Sequence, residues 1–316
     1  MSKENQTLIL EVKRLSKSFG DVKALNELNL SLQEGEVLAL LGPNGAGKTV
    51  SINIICGLNK PDSGEVFYRG RLLNRQDRGI FGICPQNVEI WPKQTCVEQL
   101  VFIGRMYDLS PTTCVKQANY LIDAMQLDEK RHKLAETLSG GMKRRLNLAL
   151  GLMHDPQILI LDEYEVGLDP QSRVMVREFV LDWVRSPRRS ILLTTHNMDE
   201  ADRMADRVAI IDHGSLLVAD TPEILKKKVG LGDILEIELI DRDNRISEAL
   251  EAIRSICENT NIQNGTLTIR TLEAVKKLPG IIQALDLHGV NHGEVTLRGN
   301  TLEDVFISLT GRALRP

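Results

Sequence analysis

Two glycine-bearing stretches carry residue types that can hold phosphate. Gly42-Pro43-Asn44-Gly45-Ala46-Gly47-Lys48-Thr49 fits the pattern G-x-x-x-x-G-K-[ST]. In such a loop the glycines let backbone N–H groups turn inward around a β-phosphate. Lys48 then supplies a point charge to the β- and γ-phosphates, and Thr49 offers a hydroxyl to Mg²⁺. Further along, Leu138-Ser139-Gly140-Gly141-Met142 places a Ser-Gly-Gly turn at a helix start, a second set of phosphate donors. A monomer has no obvious need of both turns. Two subunits gripping one ATP from opposite sides would use both, and nucleotide would hold a dimer together. Taken singly, the first loop implies only nucleoside triphosphate binding, and Ser139 reads equally well as a helix N-cap.

A third stretch narrows the chemistry. Ile158 to Leu161 is an apolar run that ends in Asp162-Glu163. Side chains alternate along a strand, so the two carboxylates are expected on opposite faces at the carboxyl edge of the sheet. Ligands bind at that edge in open α/β folds. Asp162 can hold the Mg²⁺ shell, and Glu163 can polarise an attacking water.

The elements that must position these residues are legible as patterns. Residues 8–32 alternate apolar and polar, as antiparallel strands do. Residues 36–41 form a continuous apolar run that reads as a buried strand feeding the first loop, with a helix over 48–58. Further strands are expected at 65–69, 79–84, 157–161, 190–195 and 207–211, with a hairpin turn at His213-Gly214. Residues 93–153 carry helical patterning, so the fold class is α/β with a helical subdomain over about 87–153. The domain boundary is placed at the basic run ending in Lys228, giving domains 1–228 and 229–316. The second domain should cycle through strand 234–240, helix 246–257, strand 266–270, helix 272–285, strand 294–297 and helix 302–309. It reads as small α+β, with Pro279-Gly280 expected to break or kink its second helix.

Composition excludes several classes. The 316 residues are 42% hydrophobic and 26% charged, ordinary for a globular protein. A net charge of −4 and a pI near 5.9 argue against a nucleic-acid binder. The basic runs at Lys143-Arg144-Arg145, residues 185–189 and residues 226–228 are expected to be solvated faces or helix ends. No apolar run is long enough to span a bilayer, and the polar N-terminus lacks a signal peptide. Five cysteines without a Cys-x-x-Cys predict reduced thiols, neither disulfides nor a zinc site.

The order of these motifs resembles the ATP-binding subunit of an ABC transporter through residues 8–225. The resemblance rests on the Walker A loop at Gly42–Thr49, a Gln-loop at Cys84-Pro85-Gln86 and the signature at Leu138–Met142. It continues with the Walker B strand at Ile158–Glu163, the D-loop at Gly167-Leu168-Asp169-Pro170 and a switch histidine in Thr194-Thr195-His196. It implies a P-loop NTPase cassette with a mixed sheet, an antiparallel β subdomain and a helical subdomain. It also implies ATP and Mg²⁺ as ligands, with Phe19 stacking on adenine and Gln86 touching Mg²⁺ and water. His196 would bond the γ-phosphate, Glu163 would activate water, and Ser139, Gly140 and Gly141 would close on the ATP of a second subunit. Asp169 would help couple the two sites. The expected partners are a second copy of the chain and an integral-membrane permease at the cytoplasmic face of the cell membrane, docked on residues 87–133 around Trp91.

Tyr164-Glu165 departs from the family, where Pro-Thr or a similar pair follows the glutamate. A second negative charge there could raise the pKa of Glu163. Val50 is a milder departure. The tail at residues 301–312 resembles the drug-exporter branch typified by daunorubicin resistance ATPases, so export of a drug, lipid or polysaccharide is expected. The alternatives are a soluble ABC ATPase acting on nucleic acid or the ribosome, and a nucleotide-sensing subunit with little hydrolysis.

Overall fold

The computed structural model describes residues 7–229, 232–240, 245–257, 259–263 and 265–311. The expectations for the N-terminal six residues, for Gly230-Leu231 and for Arg312 fall outside that set. The chain divides into two units, Met1–Pro222 and Glu223–Ala313.

In the first unit, strands β1 (Leu8–Phe19) and β2 (Val22–Gln33) form the expected antiparallel pair. Strand β3 (Val37–Leu41) is buried along its whole length and leads through the glycine loop into α1 (Lys48–Ile55). Strands β4 (Ser63–Tyr68) and β5 (Arg71–Leu72) join the first pair in an antiparallel sheet of order β2-β1-β4-β5. After β6 (Phe81–Cys84) come three helices, α2 (Cys96–Met106), α3 (Pro111–Ala124) and α4 (Gly140–Leu152). The chain then alternates through β7 (Ile158–Asp162), α5 (Pro170–Val184), β8 (Ser190–Thr195) and α6 (Met198–Met204). Strands β9 (Arg207–Asp212) and β10 (Ser215–Asp220) close the unit as a hairpin.

The central sheet has the order β10-β9-β3-β8-β7-β6, parallel except for β10. Its inner strands are apolar runs because both faces are covered. Leu38, Leu40, Ile160 and Leu192 share one core with Ile9 and Leu25 of the antiparallel sheet and Ile52 of α1. Helix starts are fixed by side-chain caps: Thr95 with Glu98 for α2, Ser110 for α3, Ser139 for α4, Asp169 for α5 and Asn197 for α6. Two of those caps, Ser139 and Asp169, stand in the motifs and Asn197 directly follows the switch histidine, so local helix chemistry also sets where the motif residues sit.

The second unit begins within α7 (Pro222–Lys228), whose Lys226 carbonyl accepts a bond from Asn300. It continues with β11 (Asp233–Leu239), α8 (Arg245–Arg254), β12 (Asn259–Gln263) and β13 (Thr266–Thr271). Helix α9 (Ala274–Leu287), strand β14 (His292–Arg298) and α10 (Leu302–Thr310) complete it. The antiparallel order β12-β13-β11-β14 and the run β-α-β-β-α-β define a ferredoxin-like unit. One face of the sheet packs Leu235, Ile237, Leu267 and Ile269 against Ile281 and Leu285 of α9. Strand β12 has no counterpart in the sequence reading, because Asn259-Thr260-Asn261 is polar and lies on the sheet edge. Helix α9 runs through Pro279 without a break, so of the expected break or kink the break does not occur. Among the described residues no helix is long and apolar enough to cross a membrane, and all five cysteines are free and buried.

Candidate functional site

Parallel strands β3, β8, β7 and β6 are neighbours and end at one edge of the sheet. Their exits are the glycine loop, Thr195-His196, Asp162-Glu163 and Pro85-Gln86, so topology alone gathers four of the six motifs. The loop is pinned from behind. A Cβ on Gly42 would lie 2.4 Å from the Ile211 carbonyl oxygen of β9, and Gly47, at φ 102°, would place one 2.6 Å from the Ala24 carbonyl of β2. No other residue type fits either position without moving backbone.

Lys48 is buried and donates to the carbonyls of Gly42 (2.7 Å) and Pro43 (3.2 Å), and its Nζ pairs with Glu163 Oε1 at 3.4 Å. Burial lowers its pKa, opposed chiefly by the Glu163 carboxylate. Gln86 Nε2 donates to Glu163 Oε2 at 2.9 Å. His196 Nδ1 approaches Oε1 to 3.2 Å without the alignment of a hydrogen bond. Three motifs therefore converge on one carboxylate. Strand alternation is not what aims it: β7 ends at Asp162, and Glu163 takes a left-handed backbone at φ 47°. Such a conformation costs about 1–3 kcal/mol in a residue with a side chain, and the Glu163 N–H is held by the Thr194 carbonyl at 3.1 Å.

Asp162 faces the other way. Its Oδ2 accepts from Thr49 Oγ1 at 3.2 Å, and its Oδ1 accepts from the Thr194 hydroxyl. Two oxygen donors of different charge thus meet beside the lysine. No group of three or more His, Cys, Asp or Glu side chains among the described residues could form an all-protein metal cage. The pair suits a cation that takes its remaining ligands from phosphate and water, as Mg²⁺ does.

The Tyr164-Glu165 departure resolves into contacts. Tyr164 is fully buried and donates its hydroxyl to Glu200, which Arg177 also grips through Nε (2.9 Å) and Nη2 (2.6 Å). Burial pushes the Glu200 carboxyl up, but Arg177 and the tyrosine hydroxyl bring it below its ordinary value. Burial and that same bond push the tyrosine up. Glu165 accepts from the Thr195 hydroxyl, while its other oxygen has no partner, and burial raises its pKa. Glu165 thus turns toward Thr195 at the end of β8, the residue before His196.

The second turn behaves differently. Ser139 caps α4 through the Met142 N–H at 3.3 Å. The N–H groups of Gly140 and Gly141 have no carbonyl four residues back to bind. A Cβ on Gly140 would meet nothing within 4 Å, and one on Gly141 only Asp169 Oδ1 at 3.2 Å and Ser172 Oγ at 3.8 Å. Among the described residues no hydrogen bond or ion pair joins this turn to the Gly42–Thr49 loop. Asp169 caps α5 through the Ser172 N–H at 3.0 Å, and that bond lowers its pKa. Phe19 is 51% exposed at the end of β1, with the Lys17 ammonium 5.5 Å from its ring, so it is not a core side chain. Beside the Gln86 loop a groove of about 530 Å³ is lined by Pro85, Ile90, Trp91, Ile103, Tyr107 and Leu150, and Trp91 stands edge-on to the exposed Phe102.

One expectation is overturned. Arg144, read as part of a solvated basic run, is 3% exposed and bonds five main-chain carbonyls. A run of three cations hides which of them turns inward, and only the α4 face could have singled it out. Thr194, Arg177 and Glu200 were also missed, because each acts through a partner distant in the chain.

A glycine loop between a buried parallel strand and a helix, with two carboxylates at the end of a neighbouring strand, defines a P-loop nucleotide-binding protein. A family profile described as ABC transporter matches residues 25–165. The linearmycin resistance ATP-binding protein LnrL of Bacillus subtilis is 33% identical over 97% of this chain and 100% of its own length. The Nod factor export ATP-binding protein I of Cupriavidus metallidurans is 33% identical over 98% of this chain and 99% of its own. Among solved structures, an ATP-binding subunit of an ABC transporter superposes with a TM-score of 0.65 at 27% identity, over 71% of this chain and 94% of that one. The protein cbiO1 from Clostridium perfringens, part of an ABC transporter complex, gives 0.64 at 25% identity, over 71% of this chain and 92% of its own. The chain belongs to the ATP-binding proteins of ABC transporters and is an ATPase of the kind coupled to transport.

Proposed function

We propose that this chain hydrolyses ATP in a dimer of two copies and thereby drives a separate export permease. The carrying observation is the convergence of Lys48, Gln86 and His196 on the carboxylate of Glu163. Phosphate oxygens compete with Glu163 for the Lys48 ammonium, and a freed Glu163 orients and deprotonates water with Gln86 beside it. Thr49, Asp162 and Gln86 would hold Mg²⁺, which neutralises phosphate charge when bound. His196 is placed to donate to the γ-phosphate. Phe19 offers an exposed ring for adenine.

Gly140 supports the second copy. Its missing side chain serves no packing within this chain, so the space and the N–H groups at the start of α4 suit an anion brought from outside. Ser139, Gly140 and Gly141 then close on the ATP held by the partner's Gly42–Thr49 loop, with Asp169 at the same face. The permease docks in the groove by Trp91, which places the chain at the cytoplasmic face of a membrane. Full-length similarity to proteins named for linearmycin resistance and Nod factor export favours export of a drug-like, lipid or saccharide cargo.

Purified protein is expected to hydrolyse MgATP, and Glu163→Gln to reduce the rate by about 10²–10⁴-fold. The same variant should double in mass by light scattering when ATP is added. No Mg²⁺-dependent hydrolysis above the rate of the Glu163→Gln variant removes the catalytic assignment, and an unchanged mass removes the dimer. Copurification from detergent-solubilised membranes should bring down a multi-span protein; recovery on ribosomes or DNA instead would sink the transport role.

A further inference from the structure

Arg144 is the fifth residue of α4, the helix whose cap is Ser139. Its guanidinium is buried, and among the described residues no carboxylate lies within ion-pair distance of it. All five of its N–H groups are directed at main-chain carbonyls. Nη1 donates to Pro85 and Gln86, each at 2.6 Å. Nη2 donates to Asp162 at 3.0 Å and Glu163 at 2.8 Å, and Nε donates to Tyr164 at 3.0 Å. Taking a cation out of water is unfavourable unless its donors are all met, and here the carbonyls of two separate loops meet them.

Those loops are the ones whose side chains touch. Gln86 and Glu163 meet at 2.9 Å, and each has its own carbonyl bound to the same rigid plane. One turn further along α4, Asn147 accepts from the Glu89 N–H at 3.3 Å, a second grip on the segment after Gln86. A helix is stiff, and Ser139 stands about 7.5 Å along its axis from Arg144. A shift of the second turn is therefore carried by α4 to both loops together.

We propose that Arg144 is a positioning residue that sets the Gln86–Glu163 register and couples it to the Ser139–Gly141 turn. The proposal rests on the hydrolytic reading given above. Lysine keeps the charge but offers one flexible ammonium in place of a five-donor fork, so it cannot hold both loops in one plane.

The test compares Arg144→Lys with wild type for kcat, KM for MgATP and Tm, alone and in a Gln86→Ala background. The expected result is a KM within about threefold of wild type and a kcat at least about tenfold lower. In the Gln86→Ala background the lysine should lower kcat less than about twofold further, because the pair it sets is already gone. A residue that only held the fold would lower Tm and reduce kcat by the same factor in both backgrounds, which overturns the proposal. A kcat within about twofold of wild type overturns it as well. Arg144→Gln, which keeps a planar donor, runs the same cycle if the lysine variant does not fold. Wild-type hydrolysis with Arg144→Lys unaffected removes Arg144 alone; absence of any hydrolysis that Glu163→Gln abolishes removes this proposal together with the reading it rests on.

Discussion

The two glycine turns look alike on paper and differ in what surrounds them. In the first, glycine is imposed from within: Gly42 and Gly47 press on the carbonyls of Ile211 and Ala24, and Lys48 already has three internal oxygen partners. In the second, Gly140 has open space where a side chain would go, and a side chain at Gly141 would meet only Asp169 and Ser172 at the start of the next helix. A glycine demanded by the chain's own backbone reports on folding. A glycine that nothing in the chain demands points to a guest. In the proposed dimer the first turn supplies one half of a nucleotide site and the second turn supplies half of the partner's.

Substitutions sharpen or break that contrast. The largest expected effect on stability is from Gly47→Ala. It must adopt φ 102° with its Cβ against the Ala24 carbonyl, so a loss of about 2–3 kcal/mol is expected. In a thermal melt that is a fall of roughly 5–10 °C. A melt unchanged by this substitution would break the claim that the first loop is pinned from behind.

Gly140→Ala should do the reverse. Alanine suits a helix start, so Tm is expected to stay within about 2 °C or rise slightly. The added methyl instead occupies the surface proposed to meet the partner's nucleotide, so ATPase activity should fall at least about tenfold. A stable variant with full activity would leave the second turn as a helix cap and nothing more.

The smallest effect concerns Glu165, in the turn that follows β7. Burial raises the Glu165 pKa above its ordinary 4.5, so the folded state holds that proton more tightly than the unfolded state. The resulting stabilisation is full below about pH 4.5 and is lost as pH rises through the folded value. Glu165→Gln keeps the size of the side chain without the charge. Its Tm should gain on wild type as pH rises above about 4.5 and level off once the folded-state value is passed, measured by paired melts. Parallel curves would show that the unpaired Glu165 oxygen carries no linkage to folding.

Much of the fold was legible because its signals are local. Buried parallel strands announce themselves as apolar runs such as Val37–Leu41 and Ile158–Leu161, and the Ser139 cap marks a helix start. Strand β12 was missed because an edge strand of Asn and Thr carries no apolar alternation. The helix over 272–285 was read, but not that it stays unbroken at Pro279, where the packing of Ile281 and Leu285 outweighs a lost bond.

For the site, the types and spacings of Gly42–Thr49, Ser139–Gly141 and Asp162-Glu163 pointed to a nucleotide chemistry, and the resemblance to ABC transporter subunits added Gln86, Asp169 and His196. Short motifs survive in sequence because a phosphate fixes their geometry within a few residues. Only the tertiary structure decided who meets whom. It took Arg144 out of a basic run and set it between two loops, turned Tyr164 and Glu165 toward Glu200 and Thr195, and bent Glu163 out of its strand. Each of those contacts joins residues far apart in the chain and depends on burial. The worth of a charge depends on the solvent it has lost, which a sequence does not state.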